Sequence, residues 1–317
     1  MRTRSLRGVL AMLAVAALWI ALLPQDAWAW TPGTHVFLGD LLLRHLALIP
    51  PSLGLLLRRH PDDFLYGSIA ADTSIAKKYA DVGRHCHHWP VGLEIHDRAD
   101  SDALKAFALG HLAHLAADVV AHNWFVPRQL AVTSTTAALG HSYWESRFET
   151  HLGEAHARRA RELLFRDHSH SDGHLDRILS PTLFSTPTNR RIFRGMVVVT
   201  DTESWQRIFH LVGEHSRWDL PDADVQRYLM RSFDFIVDFF QRWESSVPAQ
   251  FDPSGEAPLT AAKRLRRTAL RQGGHVRAAL EADRAFSMPE NTLAHAASVT
   301  TAWVAPRGGA VRAGTER

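Results

Sequence analysis

The chain has 317 residues, 46% of them hydrophobic and 22% charged, which suits one large domain or two modest ones around a buried core and excludes fibrous, collagenous and wholly disordered chains. Its 36 basic and 33 acidic residues nearly cancel, leaving a formal charge of +3 and no general polyanion-binding surface. A single cysteine, Cys86, excludes an intramolecular disulfide and leaves either an inert buried thiol or a soft metal ligand, whereas 20 histidines are an unusual number, clustered between His85 and His174.

Residues 1–7 carry three arginines and residues 8–23 are apolar, too short a run to favour a permanent transmembrane helix. Ala27, Trp28 and Ala29 follow and fit the small-x-small cleavage rule. The expectation is a signal peptide over residues 1–29, a mature chain beginning at Trp30, and a secreted or periplasmic destination. No later segment reads as long and apolar enough to span a bilayer. Helical spacing dominates instead. Val36, Leu38, Leu41, Leu42 and Leu46 mark a first helix, and Leu104, Phe107, Ala108, Leu112, Leu115 and Val119 a long one. Further helices are expected over residues 142–165, 203–214 and 222–243, the last with Pro221 near its start and Asp222 and Asp224 in its first turn. The one convincing β-branched run, residues 196–199, is short. Composition shifts at Val247: residues 248–258 hold three prolines and a glycine and read as a linker, residues 263–271 are basic and helix-prone, and residues 306–317 read as a disordered tail. The expected fold is all-α, one multi-helix domain over residues 30–246 with a flexible C-terminal extension over residues 247–317.

The stretch GHLAHLAADVVAHNW carries the chemistry. His114, Asp118 and His122 are spaced four residues apart, and each such step turns a helix by about 400°, so the three side chains share one stripe. That stripe lies on a mainly apolar helix, where three polar side chains are costly unless something binds them. His141 and Glu145 repeat the spacing on the next helix, with Glu149 one turn further. Imidazole nitrogen and carboxylate oxygen are the usual protein donors to zinc. FLYGSIAAD ends in Asp72, and HCHHWP supplies His85, His87 and His88; both segments are expected to offer ligands on loops. WTPGTH places the α-amine and carbonyl of Trp30 close to His35. An α-amine titrates near pH 8 and becomes a donor once binding deprotonates it. His111 reads as a core histidine bonded to a backbone carbonyl, and His96, His168, His170 and His174 as solvated loop residues. Trp89, Trp124 and Trp144 flank the candidate ligands and either wall a headgroup pocket or pack the core.

This order of N-terminal Trp, early His, G-x-x-x-x-D, a His, HxxxD with a later His, and HxxxE resembles the zinc-dependent phospholipase C family over residue 30 to about residue 164. The three residues between Asp118 and His122, against five in the compact bacterial enzymes, make the ADVVAHNW string more similar to the catalytic domain of glycosylphosphatidylinositol-specific phospholipase D. The resemblance implies a helical domain holding three zinc ions, the first ligand being created when the signal peptide is removed. It implies Trp30 (amine and carbonyl), His35 and Asp118 for one ion. For a second it implies Asp72, His88, His114 and a bridging Asp118, and for a third His122, His141 and Glu145. His88 is chosen over His85 and His87 because a histidine-tryptophan pair occupies this place in the second branch. The implied activity is phospholipase C-type hydrolysis of phospholipid phosphodiesters by metal-activated water, with Asp72 orienting or deprotonating that water. A phospholipid or membrane-surface substrate follows, with no nucleic acid and no obligate protein partner expected. The alternatives are a single-strand nuclease with a similar three-zinc centre, whose glycine-aspartate-histidine segment is here replaced by HLAAD, and a secreted metal-binding module without turnover.

Overall fold

The computed structural model describes residues 30–74, 79–80, 84–133, 137–200, 216, 218–299 and 301–305. The expected signal peptide over residues 1–29, the helix over residues 203–214 and the tail from residue 306 lie outside the described residues. All regular structure among the described residues is helical, in agreement with the all-α expectation.

The centre of the bundle is α5, Asp102–Val120, with α1 (Pro32–Arg44), α2 (Pro51–Arg59), α3 (Pro61–Ala70) and α4 (Trp89–Asp97) around it. Ser101 starts α5: its hydroxyl accepts from the Leu104 N–H at 3.3 Å, and Asp102 adds an acidic group to the first turn. From Ala106 to Val120 every residue of α5 is buried, so this part of the helix is enclosed all round. The continuous helical run Asp102–Thr133 is in fact long and apolar enough to cross a membrane by length and composition, contrary to the sequence expectation, but 89% of its most apolar window is buried inside the protein. It is a core helix of this bundle.

Two glycines let α3 lie against α5. A Cβ on Gly67 would fall 1.9 Å from the Phe107 carbonyl oxygen, and one on Gly110 would fall 2.0 Å from the Phe64 carbonyl oxygen. Only backbones without side chains can approach so closely, and the crossing carries the Asp72 turn, Ala71–Thr73, to the middle of α5. After Val120 the helix widens into a π turn, Ala121–Phe125, before resuming as α6, Val126–Thr133.

The single helix expected over residues 142–165 is two, α7 (Ala137–Glu149) and α8 (Glu154–Leu164). Gly153, at φ +78°, makes the break between them. After α9 (Ser169–Asp176), residues 196–199 lie in α10, Thr186–Thr200, and not in a strand. Four residues of β propensity are overridden by the helical context in which Phe193, Met196 and Val197 are buried. α11 (Asp222–Arg242) starts at Pro221 with Asp222 and Asp224 in its first turn, as the sequence indicates, and buries Phe233, Phe235, Phe239 and Phe240.

Residues 247–299 and 301–305 pack on the bundle as part of the same unit. The stretch read as a linker forms a short turn, Pro248–Gln250, and leads into α12, Glu256–Ala285. Gly273 and Gly274 break α12, and its second half doubles back: Arg266 donates to the Ala131 and Val132 carbonyls, whereas Asp283 pairs with Arg128 at 2.7 Å. Beyond it Asn291 and the Ala296 N–H donate to the buried Asp234, and Trp303 joins the core.

Candidate metal centre

His35 comes from the first turn of α1, Asp72 from the turn after α3, His87 from the turn before α4, and His114 and Asp118 from α5. Their metal-binding atoms converge in the core. Asp118 Oδ2 lies 3.0 Å from His114 Nε2 and 3.1 Å from His87 Nε2, and Asp118 Oδ1 lies 3.3 Å from His35 Nε2. His87 Nε2 and His114 Nε2 face each other at 3.0 Å. Asp72 Oδ1 stands slightly further off, 3.5 Å from His87 Nε2 and 3.8 Å from His114 Nε2. All five side chains are buried.

A second group lies beside the first. His122 enters from the π turn and His141 and Glu145 from α7; His141 Nε2 is 2.6 Å from Glu145 Oε1, and the three residues' donor atoms all fall within 4.8 Å of one another. The His87 and His122 rings, with centroids 6.2 Å apart, join the two groups.

Hydrogen bonds set the imidazole protonation. His114 Nδ1 is 2.8 Å from the Ser68 carbonyl oxygen and His122 Nδ1 is 2.6 Å from that of Pro253. A carbonyl only accepts, so each Nδ1 carries a proton and each ring turns its Nε2 inward. Burial and the neighbouring His114 push His35 below its usual range, favouring the neutral ring. Burial alone would raise Asp118, but His114, His35 and His87 outweigh it and hold the carboxylate well below its usual range. Zinc takes up imidazole in its neutral form and carboxylate in its ionised form, the direction in which His35 and Asp118 are shifted.

The donor set also passes a test of fit. His35 Nε2 and both Asp118 oxygens are buried and form no hydrogen bond of acceptable geometry. Buried polar atoms left this way cost about 1–3 kcal/mol each, a cost that a cation at the point of convergence removes.

The expected ligand His88 is not in either group. It precedes α4 in extended conformation, its carbonyl receives the Val91 and Gly92 N–H groups, and its half-buried ring lies against His85 at 3.8 Å between centroids. His87, pointing to the other side of the same turn, takes the place in the cluster. Its Nδ1 is 3.1 Å from Cys86 Sγ, and its N–H donates to His85 Nδ1. Trp30 is fully buried between Phe125 and Phe148, and its indole N–H donates to the carbonyl of Ala117, the residue before Asp118. The expected ligands His35, Asp72, His114, Asp118, His122, His141 and Glu145 are thus brought together, and His88 is replaced by His87.

Residues 34–185 match the family model described as zinc dependent phospholipase C. These residues belong to the zinc-dependent phospholipase C family. It is a family of phospholipase C hydrolases, so the domain is that of a phospholipid-hydrolysing zinc enzyme. No curated protein and no solved structure matches the chain. The phospholipase C match begins just before His35 and ends beyond Glu145, so it contains both side-chain groups but neither Trp30 nor the Pro253 carbonyl behind His122.

Other buried polar residues pack around the candidate metal centre. His111, as expected, donates from Nε2 to the Cys86 carbonyl at 2.9 Å, and burial pushes it down to about 4. His168 and His174 are not solvated loop residues: both are buried and face the Leu163 and Ile95 carbonyls, at 2.7 Å and 2.8 Å. Glu149, one turn beyond Glu145, accepts from Thr31 and the Gly33 N–H at the start of α1, and burial pushes its carboxyl up to about 7. A carboxylate at a helix N-terminus is electrostatically favourable, and here it ties α7 to the segment between Trp30 and His35. Trp124 and Trp144 pack in the core and Trp89 stacks on Phe239, so none of the three is a free pocket wall.

Proposed function

We propose that the mature chain, secreted after cleavage before Trp30, hydrolyses the phosphodiester of phospholipids in the phospholipase C manner with three zinc ions. One ion would be held by the Trp30 amine and carbonyl, His35 and Asp118, a second by Asp72, His87, His114 and Asp118, and a third by His122, His141 and Glu145. The observation that carries this reading is the convergence of imidazole Nε2 atoms and carboxylate oxygens in two adjacent buried groups. When bound, zinc lowers the pKa of water toward about 7 and offsets charge on phosphoryl oxygens.

The chain's own residues supply orientation and proton transfer. The Ser68 and Pro253 carbonyls hold the His114 and His122 rings in the tautomer whose Nε2 faces inward. Asp118 lies against three imidazoles at 3.0–3.3 Å and is fully engaged in holding the donors together. Asp72, 3.5 Å from His87 Nε2 and 3.8 Å from His114 Nε2, would orient a water with one oxygen and take its proton. The water oxygen would bond to phosphorus as the bond to the diacylglycerol oxygen breaks, and the leaving oxygen would take up a proton equivalent to the one Asp72 accepts and then releases. No protein nucleophile is required.

The test is hydrolysis of phosphatidylcholine by purified mature protein, followed by detection of phosphocholine and diacylglycerol. Zinc-dependent release of both supports the proposal. Release of choline with phosphatidic acid would reject the bond assignment, and cleavage of single-stranded DNA without lipid hydrolysis would reject the substrate class.

A further inference from the structure

The segment 251–255 lies 66 residues or more beyond the matched family region, yet it is gripped against the metal centre. Three consecutive carbonyls are taken by three side chains of the bundle, the buried His122 and the half-buried Trp89 and Asn123. The Trp89 indole N–H donates to the Phe251 carbonyl at 2.9 Å, the Asn123 amide donates to that of Asp252 at 2.9 Å, and His122 Nδ1 donates to that of Pro253 at 2.6 Å. Asn123 also donates to the Val119 carbonyl at 2.9 Å, so one side chain spans the π turn and the docked segment.

The segment is shaped for this contact. Asp252 closes a turn by accepting from the Ser254 N–H and hydroxyl, and the Gly255 N–H donates to the Asp252 carbonyl at 3.2 Å. Gly255 has φ +59° and sits directly on His122: a Cβ there would fall 2.4 Å from His122 Cβ and 2.5 Å from the His122 carbonyl oxygen. Glycine is required twice over, for the left-handed backbone and for the close approach. From Gly255 the chain enters α12, whose buried Arg266 fastens it to the end of α6.

We propose that residues 251–255 are a positioning element for His122, and that the His122, His141 and Glu145 group binds its ion fully only when this segment is docked. The proposal rests on the reading that this group holds zinc. An imidazole's proton position and ring plane are set by the partner of its non-coordinating nitrogen, and losing such a partner typically costs 10–100-fold in metal affinity. In this chain that partner is a backbone carbonyl 131 residues away in sequence. The family-matched region alone therefore leaves His122 without the contact that orients it.

The test compares Gly255→Ala with Gly274→Ala in the full mature chain. Both glycines have positive φ, +59° and +68°, so both substitutions strain the backbone, but nothing lies within 4 Å of the Cβ position at Gly274. The readouts are zinc released to a colorimetric chelator, the visible spectrum of the cobalt-substituted protein, and thermal melting of the zinc-free protein. We expect Gly255→Ala to lose its most weakly held ion about 10–100-fold more readily and to change the cobalt spectrum, with Gly274→Ala retaining wild-type metal binding at a similar melting loss. Should Gly255→Ala fail to fold, Trp89→Phe keeps the ring over Phe239, removes the donor to Phe251, and should weaken the same ion several-fold.

Equal zinc retention in Gly255→Ala, Trp89→Phe and wild type would overturn the positioning role, as would equal loss in the two glycine variants. A wild-type protein whose zinc content is unaltered by His122→Ala would instead reject the underlying reading of the group. The two failures are therefore distinguishable.

Discussion

Gly110→Ala adds one methyl where α5 crosses α3, and its new Cβ would lie 2.0 Å from the Phe64 carbonyl oxygen and 2.8 Å from the Ser68 nitrogen. Both are backbone atoms with no rotamer to change, so the helices must part by roughly 1 Å or more before the contact becomes ordinary. The same displacement stretches the hydrogen bond from His114 Nδ1 to the Ser68 carbonyl, now 2.8 Å, beyond hydrogen-bonding range. Overpacking of this kind costs about 1–3 kcal/mol, and the buried bond about 1–3 kcal/mol more. We expect a total loss of about 2–6 kcal/mol in urea denaturation of the zinc-free protein, with reduced zinc binding because His114 is no longer fixed in its tautomer. Gly195→Ala, on α10 with nothing within 4 Å, serves as the control and should be neutral or slightly stabilising. A Gly110→Ala protein within about 0.5 kcal/mol of wild type and fully loaded with zinc would refute the claim that this crossing positions the site.

Three further outcomes follow from the same geometry. Asp72→Asn retains an oxygen donor but loses the basic carboxylate, so it should keep most of its zinc while phospholipid hydrolysis falls by about 10² to 10⁴; full activity would remove Asp72 as the base. Glu149 has a folded pKa raised to about 7, so its protonated form contributes stability that is fully present below about pH 4.5 and lost as pH rises through about 7. Discounted for partial exposure, this amounts to about 1–2 kcal/mol, and thermal melts of Glu149→Gln should show a flatter pH dependence over that window; parallel curves would refute it. A precursor retaining even one residue before Trp30 offers a peptide nitrogen in place of an amine and should bind one zinc fewer with little activity, whereas equal activity would exclude Trp30 as a ligand.

The all-α architecture was legible because α1 and α5 carry apolar residues at helical spacing and α11 has a recognisable start at Pro221. The HxxxD and HxxxE pairs were legible as well, since that spacing places side chains one turn apart on a helix, whereas their grouping with His35, Asp72 and His122 came from the resemblance. The choice among His85, His87 and His88 was not. Adjacent residues in a turn point in different directions, and spacing alone does not say which one faces inward. The contribution of residues 251–255 was hidden for a different reason: it acts through backbone carbonyls and an absent side chain, in a stretch whose prolines and glycine read equally well as a linker. Residues 196–199 misled through local β propensity, which the surrounding helical packing outweighs.

The central claim is that the buried imidazoles and carboxylates form a shared zinc centre bridged by Asp118. Elemental analysis of purified mature protein, wild type beside Asp118→Asn, tests it most directly. The account predicts about three zinc ions per wild-type chain and a loss of more than one in Asp118→Asn, because the carboxylate serves two ions. Less than about one zinc per wild-type chain after expression with zinc present would contradict it.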